Sequence, residues 1–195
     1  EFKFQTSVFA SYLTNAMVRK NTTLNGADSV LYEGSMSAVS HLTNSESATI
    51  YGIQLVAEKR ISKKLYGGGT VNYMQGKTSE KDAVRHVSPA FGKVYLKWAS
   101  PKFTSEINAF ANGSVEYENL APSERNKPYL YSTDSDGNPY SKSWYTLNFL
   151  VNYYPNMDFV INGAIENIMN QAYRPYSSGI AAPGRNYVIS LKYKF

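Results

Sequence analysis

Asn186-Tyr187-Val188-Ile189-Ser190-Leu191-Lys192-Tyr193-Lys194-Phe195 is the stretch whose pattern decides the fold. Tyr187, Ile189, Leu191, Tyr193 and Phe195 fall on odd positions. Asn186, Ser190, Lys192 and Lys194 fall on even ones, with Val188 the apolar exception. A period of two describes a β-strand with one apolar and one wet face. Chain ends are ordinarily polar and loosely held, so a strand that carries its aromatic face through to Phe195 asks for a partner for that face.

The same alternation recurs upstream. It predicts strands over residues 2–18, 49–61, 65–73, 87–100, 103–112, 144–154 and 159–165, which with 186–195 makes eight. In residues 144–154, Tyr145, Leu147, Phe149, Val151 and Tyr153 alternate with Thr146, Asn148 and Asn152. Gly67, Gly68 and Gly69 interrupt the third strand, where glycine permits bending. Short turns join strands at Ser62-Lys63-Lys64, Ser100-Pro101-Lys102 and Pro155-Asn156-Met157. Long loops are predicted over residues 21–47, 75–86, 113–143 and 173–185, rich in Asn, Ser, Gly and Pro. Long and short connections therefore alternate, which puts all long loops at one end of an antiparallel sheet.

Composition sets the limits. The 195 residues suffice for one domain. No apolar run approaches the roughly 20 residues of a membrane-spanning helix, yet β-barrel strands hide their apolar character in alternation. The 17 tyrosines and 9 phenylalanines fit a β-rich protein. With no cysteine, neither a disulfide framework nor a thiolate metal site is available. The net charge of +5 comes from basic residues spread along the whole chain, with no stacking-aromatic basic face, so no nucleic-acid partner is expected. Three architectures share this alternation: a segment of a large membrane barrel, a complete small barrel, and a soluble sandwich or lipocalin-like binder. The aromatic terminus and the sorting of loops by length favour the membrane.

At the C-terminal third the residues become specific. Ile165-Glu166-Asn167-Ile168-Met169-Asn170-Gln171-Ala172-Tyr173-Arg174 resembles the penultimate-strand motif of TonB-dependent outer-membrane receptors, and Pro183-Gly184-Arg185-Asn186-Tyr187 resembles their closing motif. Ser88-Pro89-Ala90-Phe91-Gly92 is similar to the entry of an earlier strand in that family. The segments 121–125 and 140–148 resemble Bacteroidetes-type members, many of them haem or siderophore receptors. A terminal Phe195 behind Tyr193 resembles the assembly signal read by the barrel assembly machinery.

The resemblance implies an all-β fold: an antiparallel transmembrane β-barrel segment of about eight strands, with short periplasmic turns and long extracellular loops, in the bacterial outer membrane. Family barrels have 22 strands and a plugged lumen, so residues 1–195 are expected to be a single barrel region, the last eight strands, lacking the plug and the N-terminal strands. The implied function is TonB-dependent uptake of a scarce nutrient (an iron-siderophore, haem or similar), with TonB engaged indirectly. The alternative is a self-contained eight-stranded barrel that serves as an anchor or surface-binding protein. The implied partners are outer-membrane lipid, the assembly machinery, the missing plug and strands, and a small-molecule ligand.

No catalytic constellation, metal site or cofactor is expected, and the chain does not read as an enzyme. His41 and His86 are the two histidines and fall in predicted extracellular loops, where a haem receptor would use His or Tyr as an axial ligand. Tyr129, Tyr131 and Tyr176 are the loop tyrosines nominated for ligand contact. Asp134, Asp136 and Asn138 have a calcium-loop spacing, but Gly137 and Pro139 beside them favour a plain turn.

Overall fold

The computed structural model describes residues 1–15, 17–44 and 47–194. Fourteen strands run in chain order: β1 (Phe2–Thr14), β2 (Met17–Asn21), β3 (Ser29–Tyr32), β4 (Ser35–Ala38), β5 (Ser40–Asn44), β6 (Ser47–Arg60), β7 (Leu65–Thr78), β8 (Phe91–Ala99), β9 (Phe103–Asn112), β10 (Ser132–Thr133), β11 (Pro139–Tyr140), β12 (Trp144–Tyr153), β13 (Phe159–Glu166) and β14 (Asn186–Tyr193). Eight of them make one sheet in the order β1-β6-β7-β8-β9-β12-β13-β14. Every neighbouring pair is antiparallel, which puts the three short turns at one end and the four long connections at the other.

Alternation becomes sheet chemistry through register. Lys59, Gly67, Leu96, Ile107, Phe149, Ile165 and Tyr187 are successive cross-strand partners from β6 to β14, and Phe2 of β1 faces Lys59. Directly paired side chains share a face, so an almost wholly apolar line crosses all eight strands. That face is open: Ile189 is 81% exposed, Leu191 65% and Val94 61%. The opposite face carries Glu58, Gly68, Tyr95, Asn108 and Asn148 as successive partners. A soluble sandwich or lipocalin buries its apolar face, and this sheet does the reverse. Among the described residues the buried apolar side chains are Ala48, Val115, Leu120 and Ala121, and three of these belong to the loop after β9.

Several sequence expectations change. The first strand ends at Thr14, not residue 18, because Asn15 takes a left-handed φ of 52°. Residues 21–47 are not one irregular loop. β2 pairs with β5 and β3 with β4, the latter closed by Glu33 (φ 48°) and Gly34 (φ 80°). Two positive φ values in a two-residue connection are the geometry that matches strand twist. The pairing escaped detection because its four- and five-residue arms carry no sustained alternation. β7 runs to Thr78, beyond the expected 73, because its backbone stays paired with Ala48 of β6. β8 begins at Phe91 rather than 87, after Pro89, which has no N–H to give a ladder. Residues 113–143 contain two 3-10 turns, a helical turn α1 (Pro122–Arg125) and the β10–β11 pair. Phe195 lies outside the described residues, and β14 ends at Tyr193.

Among the described residues β1 and β14 share no ladder, and every residue of both strands is exposed. The eight strands form an open sheet.

Gly68 shows how the polar face is built. The Tyr95 hydroxyl donates to Glu58 Oε2 at 2.6 Å, reaching from β8 over β7 to β6. A Cβ on Gly68 would lie 2.6 Å from that hydroxyl and 2.8 Å from the Ala57 carbonyl oxygen. Gly68→Ala is therefore expected to destabilise the folded sheet by about 1–3 kcal/mol through overpacking. Gly179→Ala, with open space around it, should be neutral. The temperature at which the folded electrophoretic form is lost measures both.

Candidate functional site

The loop end is organised around one carboxylate. Pro122 starts α1, as its fixed φ favours. The Arg125 guanidinium donates to the carbonyls of Tyr117 (3.1 Å) and Glu118 (2.9 Å) and lies over the Tyr117 ring. This folds residues 113–143 back on themselves and leaves Glu124 fully buried. A buried charge must be paired and hydrogen-bonded. Tyr131 donates its hydroxyl to Glu124 Oε2 at 2.6 Å and Lys127 donates to Oε1 at 3.2 Å. Arg85, from the connection between β7 and β8, forms an ion pair with the same carboxylate. Tyr176, from the connection between β13 and β14, brings its ring to 6.5 Å from that of Tyr131. Three of the four long connections thus converge on Glu124.

The electrostatics follow from this crowding. Burial pushes the Glu124 carboxyl up. The hydrogen bonds from Tyr131 and Lys127, with the charges of Lys127 and Arg85, outweigh it and hold the carboxyl below its ordinary value. Burial pushes the Tyr131 hydroxyl up, and its bond to Glu124 pushes it further. The Tyr176 hydroxyl is raised by burial and then by the Glu124 charge.

Below the loops, on the polar face, aromatic rings step across the sheet: Phe91 to Phe110 (6.4 Å), Phe110 to Trp144 (6.0 Å) and Trp144 to Tyr173 (4.1 Å). Beneath them Lys93 pairs with Glu106 at 2.5 Å. Asn108 donates to Glu106 at 3.0 Å and Asn148 to Asn108 at 3.0 Å. Rings and amides together line a recess of about 420 Å³.

The two C-terminal motifs meet here. Asn167 and Asn170 both adopt left-handed φ, 48° and 53°, a conformation Asn tolerates. Asn167 accepts from the Gln171 N–H (2.9 Å) and donates to the Gln171 carbonyl (2.8 Å), while its own N–H donates to Asn148 Oδ1 (2.8 Å). Asn170 Oδ1 accepts from the Arg185 N–H at 2.9 Å, and the Arg185 guanidinium donates to the Ile168 carbonyl at 2.8 Å. The end of β13 and the start of β14 are one hydrogen-bonded knot.

Of the residues nominated from sequence, Tyr131 and Tyr176 come together beside Glu124. His86 is exposed at a left-handed φ of 63°. With Arg19, Lys20, Arg85 and Ala121 it lines a second recess of about 290 Å³. His41 is exposed on β5, opposite Lys20 of β2. Tyr129 is 75% exposed, and its carbonyl accepts from Arg174. Glu124, Arg85 and Lys127 were not anticipated. The 121–125 segment carried a signal, but nothing in an isolated Pro-Ser-Glu-Arg marks its Glu as buried. Asp134 spends its Oδ1 on the N–H groups of Asp136 (2.9 Å) and Asn138 (2.8 Å), which makes a turn. No three His, Asp or Glu side chains converge among the described residues.

Removing the buried anion strands two cations, so Glu124→Gln should loosen residues 113–143 by about 2–4 kcal/mol while leaving the sheet folded. Hydrogen exchange of that loop against β8 and β9 measures it. The folded carboxyl is held below its ordinary value, so its contribution is present above the ordinary carboxylate range and fades as pH falls through the lower folded value. Loop protection is expected to stay flat from about pH 5 to 8 and to drop only in stronger acid.

No protein-family model matches the chain, and no curated protein matches its sequence. Solved structures do match. The copper transporter OprC superposes at a TM-score of 0.75 with 12% identity, over 100% of this chain and 29% of its own. The FrpB iron transporter from Neisseria meningitidis (F3-3 variant) gives 0.67 and 16%, over 100% and 29%. A mutant of the ferric enterobactin receptor from Pseudomonas aeruginosa gives 0.67 and 14%, over 97% and 28%. The chain spans under a third of the length of these proteins. Its fold is that of a portion of the β-barrel of TonB-dependent receptors, an architecture of the bacterial outer membrane.

Proposed function

We propose that this chain is a single barrel region that walls part of the lumen and supplies extracellular loops in a larger outer-membrane receptor for nutrient uptake. One observation carries the reading: an open sheet with apolar residues on one face and a hydrogen-bonded polar face on the other superposes over its whole length on 29% of the chain of a copper transporter. A wide lumen accommodates the polar face, whereas a closed eight-stranded barrel has an interior only wide enough for side chains. The neighbours are described as transporters and receptors for copper, iron and ferric enterobactin, which supports a non-enzymatic uptake role here.

In this reading the ligand is a small, scarce nutrient such as an iron-siderophore or haem. It meets the loop mouth near His86, Tyr131 and Tyr176, with Tyr129 and His41 further out. Energy reaches the receptor from TonB through a plug contributed by the rest of the polypeptide. The apolar face meets outer-membrane lipid, and Tyr193 with Phe195 presents the assembly signal to the barrel assembly machinery.

The native polypeptide tests this directly. Immunoblots of outer-membrane fractions with an antibody to residues 187–195 are expected to detect a band several-fold heavier than this 195-residue chain. A band at the chain's own mass would sink the receptor reading and leave a small self-contained barrel. In the larger protein, His86→Ala is expected to weaken ligand binding about tenfold while loop exchange stays native, because His86 is exposed and outside the Glu124 network.

A further inference from the structure

Cations gather at the short-turn end. Lys59, Arg60, Lys63, Lys64 and Lys102 lie in or beside the first two short turns, all exposed. The Ala99 N–H donates to the Lys64 carbonyl at 2.8 Å, so these turns are neighbours in space. The Lys64 ammonium stands 5.8 Å from the centre of the Trp98 ring, and Trp98 is 39% exposed on the apolar face beside Val94 and Leu96. None of the four lysines is in an ion pair among the described residues.

The acids flanking this stretch, Glu58 and Glu106, are committed on the other face, to Tyr95 and Lys93. No Asp or Glu occurs from residue 59 to residue 105 except Glu80 and Asp82, in the long connection at the opposite end. At the short-turn end Glu1 lies near Lys3 and Asp158 sits in the third turn. Phe103 stacks on Tyr153 at 4.6 Å and Phe159 lies 6.3 Å from Tyr193, which extends an aromatic belt at the level of Trp98. Aromatic rings mark the depth of the headgroups, and a cluster of unpaired lysines at that depth attracts anionic lipid.

We propose that this basic rim is a binding site for the phosphate headgroup of an anionic phospholipid in the adjacent leaflet. The headgroup sits between the turns carrying Lys63, Lys64 and Lys102, and its chains run down the apolar face past Trp98. Charge complementarity selects an anionic over a zwitterionic headgroup. The proposal rests on the apolar face being the lipid face.

The test uses the native outer-membrane polypeptide, reconstituted in vesicles of equal phosphatidylglycerol and phosphatidylethanolamine. Flotation reports insertion, and native mass spectrometry reports which lipid stays bound. The rim variant is Lys63→Gln, Lys64→Gln and Lys102→Gln. The control variant, Lys77→Gln, Lys81→Gln and Lys142→Gln, removes the same charge at the loop end. The native and control proteins are expected to retain phosphatidylglycerol in about tenfold preference, and the rim variant to fall to the bilayer ratio. A floating protein without preference, a rim variant that keeps it, or a control that loses it equally would overturn the site alone. Failure to float would overturn the membrane reading and the site with it.

Discussion

In hydrocarbon every backbone N–H and C=O must find its partner inside the protein, because no water is there to take it. The rest of this structure depends on that constraint. Each interior strand of the sheet is paired on both sides, and the side chains are free to invert the usual order, with the apolar face exposed and the polar face hydrogen-bonded within itself. β1 and β14 each carry one unpaired edge, and an unpaired edge is a liability that proteins pair or cover. In the proposed receptor reading, those two edges are where further strands would attach.

How much of this was legible in the sequence depended on whether a segment has two different faces. β12 and β14 were read nearly to the residue because one face of each is continuously apolar and the other mostly polar, with Trp144 and Leu150 the exceptions in the first and Val188 in the second. β2 to β5 were invisible for the converse reason: their short arms carry no sustained alternation, and the pairing resides in the backbone and in the handedness of Glu33 and Gly34. Tyr131 and Tyr176 were nominated as loop aromatics, but their meeting beside Glu124 depends on contacts between distant loops that periodicity does not encode. Glu124 itself reads as one more surface charge until the fold buries it.

The sheet and its loops are held by different physics. The sheet rests on ladders and on outward apolar surface. The loop end rests on one buried carboxylate that gathers a guanidinium, an ammonium and a phenol, an arrangement that enforces one geometry more than it adds net stability. The loop end is therefore shaped by a polar lock, while the sheet below it is shaped by its ladders and its exposed apolar face.

The knot between β13 and β14 has a consequence for how such a protein diversifies. Asn167, Asn170 and Arg185 clamp both ends of the final connection, so length there can vary only in the thirteen residues between Gln171 and Arg185, residues 172–184. Tyr176 lies inside that tether. Tyr173, Arg174 and Tyr176 hold the first half of the arc to Trp144, Leu130 and Tyr131, so a change in length is best absorbed at its exposed apex, residues 179–181, away from the strands that carry it.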